Sequence, residues 1–383
     1  MLKLFTKSNM EKLVRNPRRM VAKGMHKATT EFSAAFLDGY SPFPENLTFF
    51  LTYRCNLRCN VCGQWGRTGY VKNFPAEQLR DEVDIVTLKK RIDELHPHRP
   101  QITMCGGETL LYSGWYDFMS HVKSRGLECI LTTNGTMLEE AAEKLVDIGL
   151  DKISLSLDGP EEVHNRARGS DAVFQKATRG IRLINELKEK RNALRPLVEI
   201  GCTISDQNYR HLDDVIHIAE SMNVSCLIFL HLFFIDDAVY ERQSRLFREL
   251  FKTDSIHWSG YRYRPEGLDL EYLAGKLDEI KSKRYGIPVV VHPDFSREEI
   301  NSYYTSSAFL STSYSNTCLA PWTSVYVLPN GDISPCSSFV AGNIREKSFA
   351  EIWNNEEFRR FRRELRQRKF FPVCPKCCEF YKY

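Results

Sequence analysis

The sequence predicts an α/β fold, a partial, TIM-like (β/α)6 barrel followed by a small C-terminal domain of one β-hairpin and a helix. Three observations predict it. Between residues 47 and 231, six apolar runs of strand length alternate with stretches of helical periodicity, and right-handed crossovers curl such parallel βαβ units toward a barrel. An Asn330-Gly331 turn between alternating segments, Ser324 to Cys336, marks the hairpin. Eight of twelve cysteines fall in two groups, one near residue 60 and one after residue 317.

In chain order, residues 1–45 begin with Lys3, Lys7, Lys12, Arg15, Arg18, Arg19, Lys23 and Lys27 against Glu11 alone. Val21, Met25, Ala28, Phe32 and Ala35 recur at helical spacing, and Pro17 marks a break upstream. This reads as a basic amphipathic helix, packed on the barrel or docked on an anionic membrane surface or a phosphorylated substrate. Residues 46–232 hold the barrel. Its strands are expected at Leu47–Thr52, Gln101–Met104, Leu127–Thr132, Lys152–Leu157, Leu197–Ile204 and Cys226–His231. The intervening helices are Ile85–His96, Trp115–Arg125, Glu139–Ile148, Phe174–Arg191 and Tyr209–Met222. Residues 233–317 read as a connector and partial lid, with an aromatic and basic patch at His257–Arg264 and an apolar run at Ile287–Val291. In residues 318–383 the hairpin is followed by Ser348 and Glu351, a capping box for a helix running to about Lys369.

Composition sets outer limits. A chain of 383 residues, 42% hydrophobic and 27% charged, can bury a full core. No apolar run approaches the roughly 20 residues that span a bilayer, and residues 1–30 are too charged for a signal peptide. Cytoplasmic residence is expected, and with a net charge of only +4 no nucleic-acid partner is expected. Without an export signal, the cysteines point to thiolate chemistry rather than disulfides. Cys105, Cys129, Cys202 and Cys226 lie in apolar runs and read as small buried hydrophobes.

The chemistry concentrates at strand ends. Directly after the first strand comes YRCNLRCNVCGQW, which places Cys55, Cys59 and Cys62 on one short loop. Soft thiolates suit an iron–sulfur cluster or zinc. Zinc normally closes with a fourth ligand nearby, but the next cysteine is Cys105; a cubane held by three cysteines keeps one iron open. Gly106-Gly107-Glu108 follows the second strand, Thr133-Asn134-Gly135 the third, and Ser156-Leu157-Asp158-Gly159 ends the fourth. Glycines let backbone approach closely, and small polar groups at strand ends suit hydrogen bonds to a ligand. Arg166 and Arg168 precede Gly169, and a guanidinium can engage a carboxylate with two bonds. The second group, Cys318, Cys336, Cys374, Cys377 and Cys378, could hold a cluster or a zinc ion.

These segments resemble the radical S-adenosylmethionine (radical SAM) superfamily. The resemblance implies a [4Fe-4S] cluster on Cys55, Cys59 and Cys62 whose open iron chelates SAM. One electron then cleaves SAM, and the resulting 5′-deoxyadenosyl radical abstracts a substrate hydrogen. It further implies SAM contacts from Gly106, Gly107, Glu108, Asn134, Ser156 and Arg168, the last preferred over Arg166. Val61 departs from the pattern, which usually has an aromatic residue there, although its backbone can still bond to adenine. The spacing Cys318, twelve residues, Gly331, four residues, Cys336, with Ile352-Trp353 beyond, resembles the SPASM and twitch extensions. The thiolates fit one auxiliary [4Fe-4S] cluster on Cys318, Cys336, Cys374 and Cys377, acting as electron acceptor.

The expected function is net oxidation or modification of a small molecule, a carbohydrate, alcohol or lipid-linked compound, with flavodoxin or ferredoxin as reductase. The basic N-terminus and the Arg359–Lys369 run suit a lipid or phosphate group. The alternative is a peptide- or protein-modifying maturase, against which the short N-terminal segment argues. A different class is an iron–sulfur electron carrier or a zinc-stabilised nucleic-acid binder. His231, ending the sixth strand, is the candidate proton acceptor or substrate contact.

Overall fold

Alternating burial builds the strands. In β1 (Asn46–Phe50) Leu47 and Phe49 are buried, and in β2 (Gln101–Cys105) Ile102 and Met104. The pattern repeats in β4 (Lys152–Ser156), β5 (Leu197–Ile204) and β6 (Cys226–His231), while β3 (Cys129–Thr133) is buried almost throughout. Six parallel strands in sequential order result, covered by helices such as Leu138–Asp147 and Val173–Lys190, whose apolar stripes pack on the sheet. This computed structural model describes residues 17–336 and 338–382, with side chains from residue 27 onward. Among the described residues no helix is long and apolar enough to cross a membrane.

The sheet is larger than the sequence suggested. Val289–His292 forms β7, a seventh parallel strand on β6, so the connector completes one edge. At the other edge β8 (Ser324–Val327) pairs parallel with β1, and β9 (Asp332–Ser334) and β10 (Gly342–Asn343) add antiparallel strands. All ten strands belong to one sheet, in the order β10-β9-β8-β1-β2-β3-β4-β5-β6-β7. The hairpin turns where expected: Gly331 holds φ +91°, open to glycine at no steric cost.

Two readings of the termini change. The Ser348–Glu351 capping box forms, but its helix stops at Trp353; Asn355 caps a second helix, Glu356–Arg368. Much of the basic run there is engaged within the protein, while Arg366 and Lys369 are exposed. Arg359 pairs with Asp38 at 3.0 Å, Arg363 with Asp38 and Glu356, and Arg368 with Glu364. Arg362 is fully buried, donating to the carbonyls of Pro321 and Gly39 and stacking on Trp353. Lys3, Lys7, Lys12 and Arg15 lie outside the described residues, as do the side chains of Arg18, Arg19, Val21, Lys23 and Met25. Within helix Pro17–Phe36, Thr30, Ser33 and Ala34 face inward, whereas Ala28 and Phe32 are exposed. Of the expected apolar stripe, Ala28 and Phe32 therefore face outward and Ala35 is half-buried.

Candidate active site between two cysteine groups

The C-terminal ends of the strands surround a cavity of about 320 Å³. Cys55, Val61, Cys59 and Cys62 line it from the loop after β1, facing Gly106, Gly107, Asn134, Ser156, Arg168 and His231. Of the residues predicted around the first cysteine group, Glu108 alone is absent from this wall.

Glu108 lies behind it, 1% exposed. Its carboxylate accepts from Leu110 N at 3.1 Å, Thr133 Oγ1 at 2.8 Å and Asn134 N at 2.8 Å. Burial pushes its carboxyl pKa up, opposed by these bonds. Glu108 thus ties the loop after β2 to the end of β3 and sets Asn134, whose Nδ2 donates to Asn56 Oδ1 at 3.0 Å and lies 3.9 Å from Cys55 Sγ. The two glycines let backbone lie on backbone. Gly107 N donates to Thr52 O and Glu108 N to Arg54 O. A Cβ on Gly106, at φ +136°, would stand 2.5 Å from Thr52 O, and one on Gly107 would overlap the Arg54 carbonyl.

Each thiol of the first group has an N–H donor: Leu57 N at 3.5 Å from Cys55, Trp65 N at 3.4 Å from Cys62, and Arg168 Nη1 at 3.9 Å from Cys59. Burial pushes Cys55 up to about 11 and raises Cys59 as well, with Arg168 opposing the latter. Such donors favour sulfur once iron has displaced the protons. Arg168 also pairs with Asp158 at 2.6 Å, both side chains mostly buried. Asp158 is fixed in turn: its Oδ1 accepts from Thr203 N at 3.1 Å and its carbonyl from Asn208 Nδ2 at 2.8 Å. Arg168 lines the cavity, and its Nε is buried with no partner. Arg166, by contrast, is an exposed side chain near Glu162.

His231 borders the same cavity with its Nδ1 3.0 Å from Tyr304 Oη and its Nε2 buried without a partner. Burial pushes it down to about 3, so at neutral pH it is an uncharged hydrogen-bonding group. Cys105, read from sequence as a core residue, also faces the cavity, and burial pushes it up to about 12.

The His257–Arg264 patch covers the cysteine loop. Thr68 Oγ1 donates to Gly260 O at 3.0 Å, and Tyr261 lies against Gly63 so closely that a Cβ there would overlap its ring. Behind Tyr261 a second cavity of about 200 Å³ opens. It shares Phe233, Tyr261 and Cys378 with the first. It also shares Trp258, Tyr326, Cys377 and Glu379 with a third space of about 40 Å³. Cys318, Cys336, Cys374 and Cys377 all line that third space. A thiol hydrogen bond with Cys318, then burial, pushes Cys374 well up, while Phe371 N donates to its sulfur at 3.3 Å. Cys378 faces the first two cavities, not the third. An all-sulfur set in each place fits iron–sulfur chemistry. None of the aromatic residues of the second cavity was identifiable as a site residue in the sequence; its one local signal was their density between His257 and Tyr263.

Comparison with known proteins agrees. Residues 49–217 match the radical SAM superfamily and residues 318–378 the SPASM iron–sulfur cluster-binding domain. The chain is 23% identical to an AdoMet-dependent heme synthase of Oleidesulfovibrio alaskensis, over 91% of this chain and 84% of that one. The fold is similar to Streptococcus suis SuiB bound to precursor peptide SuiA (TM-score 0.61, 14% identity, 91% of this chain and 72% of that one). It is also similar to anSMEcpe with bound AdoMet and Cp18Cys peptide (TM-score 0.54, 19% identity, 88% of each). The three-cysteine loop at the mouth of a partial barrel and the second cysteine group beside it make this chain a radical SAM enzyme with a C-terminal SPASM iron–sulfur domain.

Proposed function

We propose that the enzyme oxidises a side-chain-sized group of a peptide or protein, with one auxiliary [4Fe-4S] cluster on Cys318, Cys336, Cys374 and Cys377 receiving an electron. The observation that carries this reading is the 200 Å³ cavity lying between the two cysteine groups. Whole-ligand pockets run to roughly 300–1,000 Å³, whereas about 150 Å³ already admits benzene. The second cavity therefore takes one substituent of a larger substrate better than a whole small molecule. The peptides named with SuiB and anSMEcpe support a peptide over the small molecule expected from sequence.

When bound, the first cluster and SAM together supply the radical that removes a substrate hydrogen. The chain supplies position and shelter. Arg168 offers its guanidinium to the SAM carboxylate, Asn134 and Ser156 offer polar groups beside it, and Val61 offers backbone. Glu108 acts behind the wall by holding Asn134. Tyr261 and Phe233 stand between the first two cavities, where they exclude water and border the group to be oxidised. His231 serves as a neutral contact. A substrate carbon that lost a hydrogen atom to that radical would have one electron and one proton still to lose; Cys318, Cys336, Cys374 and Cys377 would hold the acceptor of the electron, and the proton would pass to solvent. Four thiols around the third space leave a cubane no open iron, which favours electron transfer over substrate binding there.

The test is anaerobic reconstitution with iron, sulfide, SAM and dithionite, followed by incubation with a random peptide library or with an iron porphyrin. The expected result is 5′-deoxyadenosine, with peptides that have lost two hydrogens. No 5′-deoxyadenosine would refute the radical chemistry; turnover of the porphyrin but not of any peptide would refute the substrate class.

A further inference from the structure

The walls of the second cavity specify more than size. Tyr70 meets His257 edge-on at 4.7 Å, Trp258 and Tyr261 lie 5.6 Å apart, and Phe50 meets Tyr326 at 5.9 Å. All six border the space. His257 adds no positive charge: burial pushes it down to about 4, and its Nδ1 lies 3.2 Å from Ser338 Oγ. No lysine or arginine is among the described residues lining the cavity, and its one carboxylate is Glu379. That side chain is partly exposed and forms an ion pair with Lys382 Nζ at 3.3 Å through one of its two oxygens.

Ring faces are negative and ring edges positive, so several rings around one space attract a cation once it has shed water. A carboxylate on the wall strengthens that preference and repels anions. A neutral aliphatic group would gain the same apolar contact without either electrostatic contribution. A neutral aromatic group would gain ring contacts but nothing from Glu379. We propose that this cavity selects a cation, so that, on the peptide reading above, the residue presented for oxidation is a lysine or arginine.

The experiment is equilibrium dialysis of radiolabelled capped amino acids against the anaerobically reconstituted full-length enzyme with SAM and no reductant. The probes are the N-acetyl, N-methylamide forms of lysine, arginine, norleucine, tryptophan and glutamate, together with butylammonium as a cation lacking any peptide unit. Lysine and arginine forms are expected to bind about tenfold more tightly than norleucine, and glutamate most weakly. Glu379→Gln should reduce the lysine-to-norleucine ratio several-fold. Phe233→Leu, which keeps apolar volume but removes a ring, should reduce it too while leaving norleucine binding nearly unchanged. Iron content and SAM binding check that both variants are loaded and folded. Equal binding of norleucine and lysine, tightest binding by tryptophan, or a ratio indifferent to both substitutions would overturn the inference. If butylammonium binds with the same dependence on Glu379 while no capped residue binds, the cation site stands and the peptide reading falls.

Discussion

Replacing Asp158 by Asn should destabilise the iron-free protein far more than the loaded one. The Asp158–Arg168 pair is mostly buried and 2.6 Å long, and removing one partner of such a pair costs about 3–5 kcal/mol. Asn keeps the shape and an oxygen for Thr203 N, so the lower end, about 3 kcal/mol, applies without iron. With iron bound as proposed, Cys59 would be a thiolate, and its sulfur lies 3.9 Å from the guanidinium in this structure. At an effective dielectric of about 20, that attraction is about 4 kcal/mol. It already compensates the charge that Asp158 no longer meets, and the loss should shrink to about 1 kcal/mol. The assay is urea unfolding of iron-free and reconstituted protein, wild type against Asp158→Asn, under argon. An equal loss in both forms would show that Cys59 and Asp158 do not share Arg168, and a loss under about 1 kcal/mol without iron would show that the pair is not buried in solution.

Changing Cys374 and Cys377 together to Ala should halve the iron from about eight to about four atoms per chain, whereas Cys378→Ala should leave about eight; colorimetric iron assay decides, and iron halved by Cys378→Ala would reassign the ligand. Gly107→Ala places a methyl against the Arg54 carbonyl, a backbone atom that cannot swing aside. It should cost about 1–3 kcal/mol and weaken SAM retention on gel filtration, and wild-type behaviour would remove the close-approach argument. The iron-free protein should lose stability on acidification from pH 7 to pH 5. Burial pushes His164 and His257 down to about 4 and His231 to about 3. Each takes up a proton near pH 6.5 when unfolded but not when folded, so its stabilisation is complete above 6.5 and lost below, about 2 kcal/mol per histidine by pH 5. Glu108, raised by burial, acts in the opposite sense, so the comparison is with His257→Gln, whose slope in urea unfolding should fall by about one proton.

What could be read from the sequence was what repeats locally. Two-residue alternation announced β1, β4, β5 and β6, and the glycines after β2 signalled a close approach, although their partner proved to be the cysteine loop's own carbonyls. Arg168 and Arg166 are alike in sequence; they separate because the helix Glu161–Arg168 turns one toward Asp158 and the other toward water. The roles of the Arg359–Lys369 run could not be read, because Arg359 and Arg363 meet Asp38, some 320 residues away in sequence. The same holds for the lid. Nothing near Tyr261 signals that it will lie on Gly63, since that contact depends on how residues 232–317 fold back over the barrel mouth.

The pairing of β8 with β1 explains how cysteines some 260 residues apart can serve one reaction. Asn46 pairs with Ser324 and Phe49 with Val327, in parallel. The first cysteine loop begins five residues beyond Phe50, and Cys336 lies two residues beyond β9. The first cysteine loop therefore follows β1, and Cys318 and Cys336 flank the β8–β9 hairpin whose first strand pairs with β1; Phe50 and Tyr326, in ring contact across that pairing, are walls of the cavity between them. A shift of register by one residue would send every side chain of β8 to the opposite face, removing Tyr326 from the cavity. The hydrogen-bonded ladder thus fixes the separation of the first cysteine loop from Cys318 and Cys336 more firmly than a flexible linker could. Wall residues that do not belong to the ladder, Phe233, Trp258, Tyr261 and Glu379, can then change what enters without moving either centre.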